Sequence, residues 1–227
     1  MGRTLFLDCD DCLYNNDWQT ADALTARIDN YCTDVLGLPT GKAFELYQSH
    51  GTCLRGLIEE NIPHDTEDYL KKVHDVPLDI HEDAHLRFIL QNLDSINTKT
   101  FVFTASVSDH AERCLKRLNI YDVLVSPNFP IIDCRAVDFR TKHSSEAFQM
   151  AMGIANEDDP SNCILVDDSW SNIKAAKKYG MTTVLVGLKS RFGDDSVKDM
   201  LGTHADYVIA DINELPKALP DLFAFLN

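Results

Sequence analysis

The stretch Thr4-Leu5-Phe6-Leu7-Asp8-Cys9-Asp10-Asp11-Cys12-Leu13 runs from a short, continuously apolar segment straight into three carboxylates within four residues. A run of that length without polar alternation suits a parallel strand covered on both faces. Three acids at the tip of a buried strand repel one another, at a cost unless a cation neutralises them. The pattern recurs at Cys163-Ile164-Leu165-Val166-Asp167-Asp168-Ser169. In a parallel sheet both tips point the same way, so the two acidic clusters can converge on one divalent ion. Oxygen ligands favour Mg²⁺. Asp also serves in turns and as a helix N-cap, which explains either cluster alone better than it explains both.

Further short apolar runs occupy residues 100–103, 123–125, 183–186 and 207–209. They alternate with helical periodicity, as in Ala111, Cys114, Leu115 and Leu118, where Asp109 and Glu112 are spaced as a capping box. Another helical pattern over residues 169–179 ends at Gly180, a suitable left-handed cap. Strands alternating with helices predict an α/β fold, Rossmann-like, with a parallel sheet and crossover helices. One stretch breaks the alternation. Ala21, Leu24, Ile28, Tyr31 and Val35 share a helical face ending at Gly37, and shorter helices are expected at residues 43–49, 52–60 and 66–73. A helix over residues 82–93 returns to the sheet. The chain therefore reads as a core of residues 1–13 and 81–227 with a helical cap at 14–80, inserted after the first strand, where ligands of α/β folds bind.

The chain has 227 residues, with 36 Asp+Glu against 21 Lys+Arg and a net charge of −15. Such a surface repels a polyphosphate backbone, so no nucleic acid is expected as partner. Seven cysteines in an odd, scattered arrangement suit a reducing compartment. Neither a signal peptide nor an apolar stretch approaching the ~18–20 residues of a membrane span is evident, and a cytoplasmic protein with no membrane partner is expected. Gly2 invites a myristoylation check that fails, because Phe6 stands where Ser or Thr is required. Cys9-x-x-Cys12 has metal-ligand spacing, but no second pair and no His nearby in sequence completes a zinc site, so the pair reads as packing. The EF-hand pattern fails at Cys12 and Leu13. His74, His81 and His85 lie among many acids and read as solvated.

Four segments together resemble the haloacid dehalogenase (HAD) superfamily of phosphotransferases. Asp8-x-Asp10-x-Cys12-Leu13 resembles its motif I, Phe101-Val102-Phe103-Thr104 motif II, Lys142 motif III, and Val166-Asp167-Asp168-Ser169-x-x-Asn172 motif IV. The helical insertion stands where the superfamily places its type-1 cap. The stretches from Phe6 to Tyr14 and from Gly51 to Leu57 are similar to the pyrimidine 5′-nucleotidase branch.

The resemblance implies a Mg²⁺-dependent phosphomonoesterase in which Asp8 forms an aspartyl-phosphate. Asp10 would protonate the leaving oxygen and then deprotonate water. Crowding among Asp8, Asp11 and Asp168 would raise the Asp10 pKa enough to hold that proton. Asp8, the Asp10 backbone carbonyl and Asp168 would hold the metal, with Asp167 and Asn172 in support. Thr104, Ala105 and Lys142 would bind phosphoryl oxygens. Arg55 in the cap turn would contact the rest of the substrate. The implied substrate is a small phosphorylated metabolite, foremost a nucleoside 5′-monophosphate, with a sugar phosphate, pyridoxal phosphate or lysophospholipid as alternatives. The protein would act as a monomer or homodimer. Ala105 replaces a frequent Asn and His143 a frequent Pro, and neither change removes a catalytic group. From another class, a signalling receiver domain also combines acids, Thr and Lys on a parallel sheet. It places its phosphorylated Asp on a later strand, however, and has no helical insertion after the first. A catalytically inactive phosphate-binding module would be expected to lose Asp8 or Asp10, and both are present.

Overall fold

In a computed structural model, which describes residues 2–191 and 200–224, five parallel strands form one sheet in the order β2-β1-β3-β4-β5. They are β1 (Arg3–Leu7), β2 (Thr98–Val102), β3 (Cys163–Asp167), β4 (Thr182–Val186) and β5 (Tyr207–Ile209). The helices among the described residues include α1 (Gln19–Asn30), α2 (Lys42–His50), α3 (Cys53–Glu59), α4 (Thr66–Val73), α5 (Ala84–Gln91), α6 (Ser108–Arg117), α7 (Tyr121–Leu124), α8 (Ser145–Ile154) and α9 (Trp170–Tyr179).

The apolar runs are continuous because both faces of the sheet are covered. Leu5, Leu7, Val102, Ile164, Val166, Val184 and Val186 face one buried cluster, shared with α5 and α6. Phe6, Phe101, Phe103, Cys163, Leu165 and Leu185 face the other, shared with α8 and α9. Each strand thus alternates between two cores, as the pleat requires. The chain steps from β1 to β2 on one side and to β3, β4 and β5 on the other, so strand order reverses at β1. Register pairs Leu7 with Val102 on one flank and with Val166 on the other. The next residues, Phe103, Asp8 and Asp167, consequently stand side by side at the carboxyl edge, where α/β sheets open a crevice.

Between β1 and α5 the chain is helical. Tyr31, Cys32, Leu46, Leu54, Leu57, Tyr69, Leu70 and Val73 form a third buried cluster that also takes in Val107 and Cys134. Packing changes after Val73, because Val76, Leu78 and Ile80 belong to the sheet-side cluster. The long face read from Ala21 to Val35 does not stay α-helical. After Asn30 the chain widens into a π-turn, with the Leu36 N–H donating to the Tyr31 carbonyl, and Val35 is left half exposed.

Two other expectations fail locally. Residues 123–125 are not a strand: α7 occupies Tyr121–Leu124 and only Leu124 of that run is buried, so it lacks the two-sided cover a central strand needs. The parallel neighbour that extends the sheet edge is instead a single bridge from Phe103 to Ile132. Asp109 and Glu112 do not form a capping box. The helix starts two residues earlier than that spacing requires, at Ser108, where Asp133 accepts from the Ser108 N–H at 3.0 Å and the Ser108 hydroxyl at 2.5 Å, and Glu112 pairs with Lys116. At α9, Ser169 accepts the Asn172 N–H and Gly180 ends the helix at φ +103, as expected.

Helices α2 and α3 approach closely because Gly56 has no side chain: a Cβ there would lie 2.7 Å from Leu46 Cβ. At Gly153 in α8 a Cβ would meet nothing within 4 Å. Gly56→Ala is expected to lower stability by about 1–3 kcal/mol through overpacking. Gly153→Ala should raise it by about 0.5 kcal/mol through chain entropy. Urea denaturation of the two variants measures both, and changes of the same sign would refute the close-packing account.

Candidate active site

Asp8 follows β1, and its N–H donates to the Val166 carbonyl at 2.9 Å, which carries the strand pairing one residue beyond the sheet. Lys142 arrives from the loop before α8, where Asp138 and Phe139 take left-handed backbone angles and turn the chain inward. Its ammonium donates to Asp8 Oδ1 at 2.8 Å, to Asp167 Oδ2 at 2.6 Å and to the Phe103 carbonyl at 2.9 Å. Lys142 is only 4% exposed and Asp167 is fully buried. Burial works against the lysine charge, but Asp167 and Asp8 outweigh it and hold its pKa above the ordinary value. Burial pushes Asp8 up to about 7, with Asp167 adding and Lys142 opposing. Asp167 is further fixed by the Asn172 amide at 3.0 and 3.1 Å and by the Ser169 N–H at 2.9 Å. Both oxygens of Asp167 are thus occupied by protein donors.

Among the described residues, Asp168 is given no such set of donors. Its pKa is pushed well above the usual range by burial and by repulsion from Asp167, Asp8 and Asp11. Asp8, Asp167 and Asp168 each bring a carboxylate oxygen within 4.8 Å of the others. A single lysine cannot balance this many buried acids, and the oxygen-only donor set fits a hard divalent cation.

Asp10 departs from expectation. Crowding does not raise its pKa. Burial does oppose its charge, but the His110 ring, the Tyr14 hydroxyl and the Ser106 hydroxyl outweigh it and hold the carboxyl at about 2. His110 Nε2 lies 2.8 Å from Oδ1, the Tyr14 hydroxyl donates to Oδ1 at 2.6 Å, and Ser106 donates to Oδ2 at 2.9 Å. Asp10 in turn raises His110 to about 10 against the effect of burial. Each group thus favours the charged form of the other. None of the three partners was singled out from the sequence. Tyr14 sits one helical turn after Asp10 and Ser106 two residues after Thr104, but His110 is a hundred residues away.

A cavity of about 450 Å³ opens above these groups. Asp8, Asp10, Thr104, Ala105, Lys142, Asp168 and Asn172 all line it. Thr104 is buried and its hydroxyl accepts the Ser106 N–H at 3.0 Å, which shapes the turn after motif II. The helical insertion supplies the opposite wall, including Leu24, Ile28, Tyr47, Leu54 and Tyr69. The two parts approach closely at Gly51, φ +85, where a Cβ would lie 2.7 Å from His143 Nδ1 and 3.0 Å from Thr141 Oγ1. Arg55 is not on the cavity wall; its guanidinium pairs along α3 with Glu59. His74 is not solvated as expected. It lines the cavity, its ring packs 5.5 Å from that of His110, and burial lowers its pKa to about 4. His81, by contrast, has a side chain 90% exposed.

The chain is 26% identical over 230 residues to phosphate metabolism protein 8 of Saccharomyces cerevisiae, covering 94% of this chain and 71% of the yeast protein. Among solved structures it is similar to a hydrolase from Pseudomonas syringae at a TM-score of 0.61 and 18% identity, covering 99% of this chain and all of that one. A HAD-hydrolase of Bacillus subtilis bound to magnesium matches at 0.57 and 16% identity, covering 96% and 98% of the two chains. At these identities the structural likenesses speak to fold. The sequence model of the haloacid dehalogenase-like hydrolases matches residues 3–180, most of the chain and all four site segments, and the protein belongs to that family.

Proposed function

We propose that the protein is a Mg²⁺-dependent phosphomonoesterase that works through an aspartyl-phosphate on Asp8. The observation that carries this is the placement of Asp8: it lines the cavity, with one oxygen held by Lys142 at 2.8 Å and the Asp168 carboxylate within metal-sharing distance. A nucleophile fixed on one oxygen presents the other along a defined line. Asp8, Asp168 and the Asp10 backbone carbonyl would hold the Mg²⁺, which when bound neutralises charge on the phosphoryl oxygens and on the acids. Lys142 offsets charge that builds between nucleophile and phosphate. In the first step an Asp8 oxygen bonds to phosphorus as the ester bond breaks, and the leaving oxygen takes a proton. His110 Nε2, 2.8 Å from Asp10 and with its pKa raised by that carboxylate, is the group placed to hold a proton for Asp10 to deliver. In the second step water oxygen bonds to phosphorus as the bond to the Asp8 oxygen breaks, Asp10 takes the water's proton, and phosphate leaves with the Asp8 carboxylate restored.

The insertion, residues 14–80 by the sequence boundaries, would act as a cap over the core of 1–13 and 81–227. The Gly51 contact and the shared cavity support that role. The bacterial HAD-hydrolase bound to magnesium undergoes interdomain movement, and the same motion here would exclude water during phosphoryl transfer. Tyr47, Phe44, Tyr69 and Trp18 around the cavity favour a leaving group that carries a planar aromatic ring, such as the base of a nucleoside 5′-monophosphate, over a sugar phosphate. The yeast relative's place in phosphate metabolism agrees with phosphate ester chemistry. All seven cysteines are free and buried, which suits the cytoplasm. No helix among the described residues is long and apolar enough to cross a membrane.

Purified protein with Mg²⁺, presented with a panel of phosphorylated metabolites, is expected to release phosphate fastest from nucleoside 5′-monophosphates. Asp8→Asn should release none while its circular dichroism stays unchanged; a tenth of the wild-type rate would remove Asp8 as nucleophile. Saturating Mg²⁺ should raise the melting temperature, by about 2.7 kcal/mol of stabilisation at a hundredfold excess over Kd. Asp168→Ala should abolish that rise, and a rise that persists would place the metal elsewhere.

Asp11 reports the acidic crowding independently. Burial and Asp10 push its folded-state carboxyl from 3.8 to about 7. A carboxyl raised in this way favours its neutral form in the fold, so the cost of its charge is nearly absent at about pH 4 and grows to full size as pH rises through about 7. Asn tolerates the left-handed φ of 56 at this position. In Mg²⁺-free buffer Asp11→Asn is expected to raise the melting temperature clearly at pH 8 and little at pH 4.5. Equal increments at both pH values would contradict the shift.

A further inference from the structure

The Cys9-x-x-Cys12 spacing is divided by the fold. Cys12 turns to the Val166 carbonyl, 3.5 Å from its Sγ, and leaves the pair. Cys9 instead meets α6, where His110 and Cys114 stand one helical turn apart on a single face. The ligand atoms of Cys9, Asp10 and Cys114 lie within 4.8 Å of one another. His110 Nε2 is 3.6 Å from Cys114 Sγ and 2.8 Å from Asp10 Oδ1, and Cys114 Sγ is 3.9 Å from the same Asp10 oxygen.

The three separations among Asp10, His110 and Cys114 are close to the edges of a metal tetrahedron, and Cys9 Sγ must close on His110 Nε2 to complete it. With zinc–sulfur bonds of ~2.3 Å and zinc–nitrogen or zinc–oxygen bonds of ~2.0–2.1 Å, ligand atoms stand about 3.3–3.8 Å apart. Two of the three measured contacts need almost no change, and the third must open by about half an ångström on that scale. Two sulfurs, an imidazole nitrogen and one carboxylate oxygen are a borderline-soft set, which suits Zn²⁺ and not Mg²⁺. The ligands come from the β1 tip and from α6, both packed into the core. His110 Nδ1 is buried without a hydrogen-bond partner, so all polar contacts of the ring run through Nε2, the atom facing the group. Asp10 borders the cavity and gives an ion its way in.

We propose that Cys9, Asp10, His110 and Cys114 form a four-ligand site for one zinc-type ion, distinct from the carboxylates of Asp8 and Asp168, whose occupation withdraws Asp10 from the cavity. On binding, each thiol and the His110 Nε2 release a proton to solvent, and the neutral imidazole binds through Nε2 while keeping its Nδ1 proton. The inhibitory consequence rests on the phosphatase reading; the binding does not.

Zn²⁺ titrated against a chromophoric chelator, with Mg²⁺ saturating throughout, is expected to bind at one equivalent. Co²⁺ in its place should give the intense thiolate-to-metal charge-transfer absorption of a tetrahedral sulfur site, which identifies the ligands in the wild-type protein without any variant. Cys114→Ser should lose that absorption and Cys12→Ser should keep it. Zinc-loaded protein should release no phosphate, while Cys114→Ser in the same zinc should release it at the metal-free rate. A cobalt spectrum without thiolate absorption, zinc displaced by Mg²⁺, or binding lost in Asp168→Ala would overturn the site. Binding with unchanged turnover, in a protein whose Asp8→Asn variant is dead, would overturn the withdrawal of Asp10.

Discussion

The Lys142 ammonium, enclosed by Asp8, Asp167 and the Phe103 carbonyl, is the contact on which the carboxyl edge of the sheet depends. It joins the tips of three adjacent strands at a largely buried point on the cavity wall. Removing either sign from such a buried group leaves the other uncompensated, which is far more costly than the net gain from the pair. The arrangement is therefore a means of positioning. It fixes which oxygen of Asp8 is engaged and which is presented to the cavity.

Charge at this edge is deliberately incomplete. One lysine faces Asp8 and Asp167, while Asp168 and Asp11 remain disfavoured as anions by burial and by their neighbours. A fold that leaves acids in this condition binds a cation more tightly than a neutral cleft would. Asp10 has been removed from the crowd: its charge is matched by His110, Tyr14 and Ser106 on the far side of the same turn. Consecutive residues after β1 thus serve two environments, a hard, oxygen-lined one around Asp8 and a softer one around Cys9 and Asp10.

The strand tips were legible in the sequence because a buried parallel strand must be apolar throughout, and acids can follow only where it emerges. Lys142 was legible through its neighbours in the family pattern, since a lysine in a polar loop has no signal of its own. Residues 123–125 misled because a short apolar run carries no period, and only cover on both faces separates a strand from one helical turn. Arg55 misled in a related way. Its sequence neighbourhood marked a substrate-facing turn, but on α3 it points along the helix to Glu59, and the same turn meets the core through Gly51 instead.

Composition, apolar periodicity and the four motif segments by themselves determined the parallel α/β core, the helical insertion after β1 and the carboxylates at the strand tips, because these follow from local burial and chain order. Tertiary structure alone decided what each carboxylate faces. The ionisation of Asp10 depends on His110, a hundred residues distant, and the ligands that could complete the Cys9 site come from α6 and not from Cys12. Pairings of that kind are set by which helix crosses which strand tip, and a crossing of two distant segments leaves no trace in the spacing of either.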